Sequence, residues 1–105
     1  MTFLASAQDV RIEDDHVLKG QLQNVEGEWE DAEIDLDQFI ANDNGRLAWD
    51  GENFSGSAEE VSFSIEGDGD VPVLRAVLHS EDGAQQSDLN LAERLENHNG
   101  SFVFV

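Results

Sequence analysis

The segment TFLASAQDVRI (2–12) reappears as NFSGSAEEVSF (53–63), with Phe3 over Phe54, Ser6 over Ser57, Ala7 over Ala58 and Val10 over Val61, at an offset of 51 residues. LKGQLQNVEGE (18–28) falls on LRAVLHSEDGA (74–84) at an offset of 56, and IDLDQFIANDNGRLAW (34–49) on LNLAERLENHNGSFVF (89–104) at 55. The offset changes where loops differ in length: the second copy is longer in EGDGDVP (66–72) and one residue shorter after Gly83. Copies of about 50 residues, 1–50 and 51–105, are each too small to bury a core of their own. The 105-residue chain is therefore a single domain in which the copies pack against each other or exchange elements.

Within each copy the dominant period is two. Leu18, Gly20 and Leu22 alternate with Lys19, Gln21 and Gln23; Leu74, Ala76 and Leu78 alternate with Arg75, Val77 and His79; Val61, Phe63 and Ile65 alternate with Ser62 and Ser64. Such alternation predicts half-buried antiparallel strands. Short helical turns interrupt the strands where Leu36 and Ile40, and likewise Leu91 and Leu95, stand four apart behind Asp35 or Asn90 as capping residues. Asn44-Gly45 and Asn99-Gly100 supply the positive φ that ends each turn and launches the next strand, and EGDGD reads as a hairpin tip.

Charge excludes several partners. Five basic residues against twenty-four acidic ones leave a net charge of -19, which argues against nucleic acid or an anionic membrane surface. The acid is interspersed with apolar residues, as expected of a solvated surface rather than of a disordered tail. No run approaches the roughly 20 apolar residues of a membrane span. The absence of cysteine removes both disulfides and thiolate chemistry. The opening MTFLASAQDV has no basic leader and only a short apolar run, so the expected location is cytoplasmic or reached by a nonclassical export route. Asn53-Phe54-Ser55 and Asn99-Gly100-Ser101 are formal glycosylation sequons that a chain this rich in Asn and Ser produces by chance.

Catalysis has no visible apparatus. His16, His79 and His98 have no spacing that pairs two of them on one face as metal ligands, and no nucleophile elbow or phosphate-cradling loop is present. No cofactor and no metal are expected. What stands out is a set of amides and hydroxyls at matching places in the two copies: Ser6, Gln23, Asn97 and Asn99, and Asn42, Asn44, Asn53, Ser57 and Ser80. Short, directional donors and acceptors of this type suit vicinal sugar hydroxyls, although any one of them also serves as a turn or cap residue.

The paired SA…V starts, the centre IDL…IANDNGRLAWDGENF and the end LNL…ENHNGSFVFV resemble the cyanovirin-N homologue family of mannose-binding lectins, most closely its fungal members, over essentially the whole chain. The resemblance implies an elongated, all-β pseudo-dimer of strand-exchanged repeats, one half combining approximately residues 1–39 with 94–105 and the other formed by 40–93. It implies a shallow, metal-free pocket in each half that takes terminal α(1→2)-linked mannose, with mannose-rich oligosaccharides or glycoproteins as partners.

Carried over position by position, the first pocket is lined by Thr2, Ala5, Ser6, Gln23, Val25, Asn97, His98 and Asn99. The second draws on Ala41, Asn42, Asn44, Glu52, Asn53, Gly56, Ser57, Ser80, Glu81 and Gly83. Ala5 and Val25 stand where the prototype is polar and Gln23 where it has a carboxylate. The second pocket departs further, through apolar Ala41, side-chain-free Gly56 and Glu81 in place of an arginine. The expectation is weak binding, mainly at the first pocket. The alternative is a scaffold that has lost mannose binding and serves protein interaction or storage. Ala7, Leu22, Ala58 and Leu78 occupy the prototype's four disulfide positions, a small residue with a large one each time, as apolar packing in place of each bridge requires. Gly51 replaces a proline in the linker between repeats, and a flexible linker there predicts a monomer.

Overall fold

The period-two segments become strands in both repeats of the computed structural model, which describes residues 2–105. After a 3₁₀ turn (Phe3–Ser6) come β1 (Ala7–Glu13), β2 (Val17–Gln23) and β3 (Trp29–Asp35), a second turn (Leu36–Gln38), and the short strands β4 (Ile40–Asn42) and β5 (Leu47–Trp49). The second repeat follows the same order: a turn (Phe54–Ser57), β6 (Ala58–Glu66), β7 (Val71–Ser80), β8 (Gly83–Asn90), a turn (Leu91–Glu93), β9 (Leu95–His98) and β10 (Ser101–Phe104). β1-β2-β3 and β6-β7-β8 form antiparallel three-stranded sheets, while β4-β5 and β9-β10 are two-stranded hairpins. The fold is all-β, its helical content among the described residues being the four 3₁₀ turns.

Each hairpin leaves the sheet of its own repeat. β4-β5 packs against β8 and the turn Phe54–Ser57, and β9-β10 packs against β3 and the turn Phe3–Ser6. One continuous core results, to which Phe3, Leu18, Leu22, Leu36 and Ile40 contribute from the first repeat and Phe54, Leu74, Leu78, Leu91, Leu95 and Phe102 from the second. Phe3 meets Phe102 edge to face, with ring centroids 5.4 Å apart. The body is elongated, 49 × 26 × 22 Å, as two end-to-end sheets with exchanged hairpins require.

Strand register pairs the four positions at which the resemblance implies disulfides. Ala7 lies opposite Leu22 across β1-β2, and Ala58 lies opposite Leu78 across β6-β7. Both leucines are fully buried, so each small-large pair fills the space between strands with hydrocarbon. On β2, Leu18, Gly20 and Leu22 are buried and alternate with half-buried neighbours, as the period predicts. A Cβ at Gly20 would lie 3.2 Å from Val10 Cα, so glycine there leaves room for the irregular stretch of β1 on the neighbouring strand.

Three features differ from the simple alternating pattern. β1 and β6 each carry an irregularity at the same point of the repeat, between Gln8 and Arg11 and between Glu59 and Ser62, with Asp9 at φ 54° and Glu60 at φ 53°. Such bulges bend a strand and shift its alternation by one residue. Ile65, expected on the buried face, is 47% exposed, although its cross-strand partner Pro72 is fully buried. Asn44-Gly45 and Asn99-Gly100 do not end the helical turns. A short strand intervenes, and each pair forms a tight hairpin loop with both residues at positive φ (48° and 97°; 51° and 91°), the arrangement that matches strand twist.

The two repeats meet at an aromatic seam. Phe39 stacks on Phe104 at 4.7 Å, Trp49 packs against Phe104 at 5.8 Å, and the Arg94 guanidinium lies 4.4 Å from the Phe104 centroid. Trp49 Nε1 donates to Glu93 at 3.1 Å, and Arg94 reaches Asp50 at 3.3 Å. Gly51 follows directly, where a Cβ would sit 2.3 Å from the Ala41 Cβ.

Candidate functional site

The Asn-x-Asn-Gly segments occupy the tips of the exchanged hairpins, and the first Asn of each does the same work. Asn97 Nδ2 donates to Ser6 Oγ and to the Gln23 carbonyl, both at 2.9 Å, while its Oδ1 accepts from Gly100 N at 2.9 Å. Asn42 Nδ2 donates to Ser57 Oγ and to the His79 carbonyl, both at 2.8 Å, and its Oδ1 accepts from Gly45 N at 2.7 Å. One amide thus closes its own loop and fastens that loop to two elements of the other repeat. Both Nδ2 hydrogens are used in the process.

The second Asn repeats likewise. Asn99 Oδ1 accepts from Val25 N, and Asn44 Oδ1 from Glu81 N, each at 3.0 Å. These bonds pin the β2-β3 and β7-β8 loops to the hairpin tips. Among the described residues, the Nδ2 groups of Asn99 and Asn44 have no protein partner, and both side chains are exposed. They are amides at the tips that the fold leaves available to a ligand, and the exposed Asn53 side chain likewise makes no hydrogen bond among the described residues.

Around the first tip the structure brings together Ser6, Gln23, Val25, Asn97 and Asn99. Gln23 Nε2 turns inward to the Gly27 carbonyl at 3.3 Å. Thr2 and Ala5 lie on the adjoining turn, where Ala5 N donates to the Thr2 carbonyl. The Thr2 hydroxyl caps Leu4 N at 3.3 Å and reaches Asp70 at 3.4 Å. His98 is exposed and contacts Glu96 at 3.3 Å on its own strand.

Around the second tip stand Asn42, Asn44, Ser57, Ser80 and Glu81. Ser80 Oγ donates to the Gly83 carbonyl at 2.6 Å and accepts from Asp82 N at 3.2 Å, so this hydroxyl is occupied in its own turn. Gly83, at φ 102°, closes that turn. Ala41 points at Gly51, and Glu52 lines a shallow cleft of about 450 Å³ with Phe39 and Phe104 instead of joining the Asn42 cluster. Asn53 holds a left-handed conformation (φ 63°) and its backbone N donates to the Asp37 carbonyl at 2.8 Å. A Cβ at Gly56 would meet nothing within 4 Å, so that position is open to any side chain.

Residues that the sequence reasoning passed over support both tips. Asn24 Oδ1 accepts from Glu26 N and Glu28 N, shaping the loop that carries Val25. Glu30 and Gln85 lie against the two tip glycines: a Cβ at Gly100 would be 2.8 Å from Glu30 Cγ, and one at Gly45 would be 2.8 Å from Gln85 Cγ. The matched spacing of Glu30 and Gln85 in the repeats was the available signal. A larger open cleft, about 780 Å³, adjoins the second tip, bounded by Asp43, Arg46, Ser62, Arg75, Gln86 and Ser87, and none of the residues carried over from the resemblance lines it.

One titratable cluster stands apart from the tips. His16 Nδ1 lies 2.7 Å from Asp35 Oδ1 and 3.6 Å from Asp37 Oδ2. The bond to Asp35 raises the His16 pKa, against a smaller opposing effect of burial, with Asp37 and Asp14 adding to the rise. Asp37 also accepts from Ser55 N at 3.0 Å and from the Ser55 hydroxyl, tying the first repeat to the start of the second. Potential ligand atoms of His16, Asp35 and Asp37 lie within 4.8 Å of one another, and their bonds to each other and to Ser55 account for that proximity.

Residues 3–103 match the CVNH domain family, nearly the whole chain and both repeats. The chain belongs to the cyanovirin-N homologue family. A cyanovirin-N homologue of Neurospora crassa is 41% identical over 107 residues, spanning 97% of this chain and 96% of that protein. The solved structure of a Gibberella zeae member of the family is 43% identical and superposes with a TM-score of 0.89, covering 97% of this chain and 95% of that one. The fold is also that of microvirin, solved as a mannobiose complex, at a TM-score of 0.87 and 19% identity over 99% of this chain and 98% of that one.

Proposed function

We propose that this chain is a lectin that takes terminal α(1→2)-linked mannose of high-mannose glycans at the tip of the β9-β10 hairpin, with the β4-β5 tip as a weaker pseudo-equivalent. The observation that carries the reading is the division of labour between paired asparagines. Asn97 and Asn42 spend their amides on the scaffold, and Asn99 and Asn44 keep an exposed Nδ2 at a tip whose geometry is already fixed. Preorganised donors lose little entropy on binding, which favours capture of a neutral, polyhydroxylated ligand. The carbohydrate-bound state of microvirin, which shares the fold, supports the same ligand class. The protein acts as a non-catalytic, monomeric binder without cofactor, and glycoproteins bearing such glycans are its partners.

Affinity is low. Each hydrogen bond forfeited at Ala5, Val25, Ala41 or Gly56 costs about 0.5–1.5 kcal/mol, so two or three weaken binding by one or more orders of magnitude. The same losses, with the inward-turned hydroxyl of Ser80, favour a second reading: a scaffold retained for protein interaction or storage after mannose binding has decayed. An amide-resolved NMR titration with α(1→2)-mannobiose separates the two. Saturable shifts over 97–100 support the lectin, and their absence at millimolar sugar leaves the scaffold. Added chelator leaves the isotherm unchanged.

A further inference from the structure

Two of the four large apolar residues exposed among the described residues, Val25 (85%) and Trp29 (44%), flank the first tip. Trp29 opens β3 directly opposite Gln23, the last residue of β2. Cross-strand partners point to one face with their Cβ atoms about 5 Å apart. That face is the solvent side of the sheet, since the alternate β2 residues Leu18, Gly20 and Leu22 are the buried ones. The intervening loop is held shut by Asn24 N to the Glu28 carbonyl at 2.9 Å and Gly27 N to the Asn24 carbonyl at 3.0 Å, and it is tied to the hairpin tip through Val25 N and Asn99.

The second repeat has no counterpart. By register, Trp29 corresponds to Ala84, which lies opposite His79, and Val25 corresponds to Glu81. The two clamps are the same and the surfaces beside them are not. The other tryptophan, Trp49, is engaged at the seam with Phe104 and Glu93, whereas Trp29 has no hydrogen-bond partner for its indole N–H among the described residues.

We infer that Trp29, with Val25 in the adjoining loop, is an aromatic subsite that stacks on the apolar face of the third sugar ring of a chain whose terminal disaccharide is held at Asn99. This deepens the lectin reading and rests on it: the preferred ligand is an oligosaccharide of three or more units rather than a disaccharide. A pyranose presents C–H groups on one face and hydroxyls at its rim. A half-exposed indole directly across the strand pair from Gln23 offers apolar area to the former and its own N–H as a rim donor to the latter. The first tip thereby gains a contact that offsets its lost polar groups, and the second tip does not.

Affinities for α(1→2)-mannobiose and α(1→2)-mannotriose measured by amide NMR, together with Trp29 fluorescence in a Trp49→Phe background, test this. The expected result is tighter binding of the trisaccharide, a saturable change in Trp29 emission, loss of about tenfold in trisaccharide affinity in Trp29→Ala, and retention in Trp29→Phe. If the amides of 97–100 shift with both sugars while Trp29→Ala binds the trisaccharide as well as the parent, the subsite is overturned and the lectin reading stands. If neither sugar moves those amides, both fall.

Discussion

Asn97 donates to the hydroxyl of Ser6, 91 residues away in the chain, at 2.9 Å, and Asn42 repeats the bond to Ser57 at 2.8 Å. Each bond crosses from one sequence repeat to the other, so the amide that shapes the hairpin tip also holds the exchange together. Tip geometry and fold integrity therefore depend on the same residues.

Replacing Asn97 or Asn42 by Ala removes three hydrogen bonds and leaves two backbone carbonyl or amide groups short of a partner. We expect a loss of about 1–3 kcal/mol in urea-induced unfolding for each variant. Asn99→Ala, which removes one internal acceptor and one free donor, should cost less stability and more sugar affinity. Equal stability losses at positions 97 and 99 would contradict this division.

Gly51→Ala places a Cβ at 2.3 Å from that of Ala41 and should destabilise the protein by about 1–3 kcal/mol. Adding Ala41→Gly should recover most of the loss, because the collision is between these two side chains alone. Sedimentation of the parent should show a monomer. A rise in dimer with Gly51→Ala would mean that strain at the seam is relieved by exchanging halves between chains.

His16 has a pKa raised by Asp35, so its contribution to stability is full below the unfolded-state value of about 6.5 and fades as pH rises through the higher folded-state value. Parent and His16→Gln should differ most at about pH 6 and converge towards about pH 9. Stability curves measured across this range check the sign. A difference that grows with pH would refute the assignment.

Ala7 and Leu22, like Ala58 and Leu78, are cross-strand partners. Ala7→Cys with Leu22→Cys should oxidise to a bridge, worth about 3 kcal/mol relative to the same variant reduced. The reduced variant should fall below the parent by about 2–4 kcal/mol, because Leu22 is fully buried. Thermal melts with and without reductant separate the two contributions.

Much of this was legible in the residues themselves. Matching segments such as SAQDV and SAEEV, with alternation at Leu18-Gly20-Leu22 and Leu74-Ala76-Leu78, sufficed for a duplication built on half-buried strands, because side chains alternate across a strand whatever surrounds it. Asp35 and Asn90 were readable as caps, and their side chains do accept from Asp37 N and Ala92 N. The bulges at Asp9 and Glu60 were not readable, since neither residue is a glycine and only strand pairing reveals the extra residue.

The sequence by itself determined which residue types stand at the tips: Asn-x-Asn-Gly twice, on strands too short to be stable alone. Local chemistry decides that much, because only a residue tolerant of positive φ followed by glycine makes so tight a hairpin. Tertiary structure decided what each asparagine does. Whether an amide faces a ligand or a distant Ser6 depends on which sheet the hairpin lands on, a contact between residues at opposite ends of the chain. The free Nδ2 of Asn99 and the exposed Trp29 beside it follow from that landing, which packing of the shared core selects.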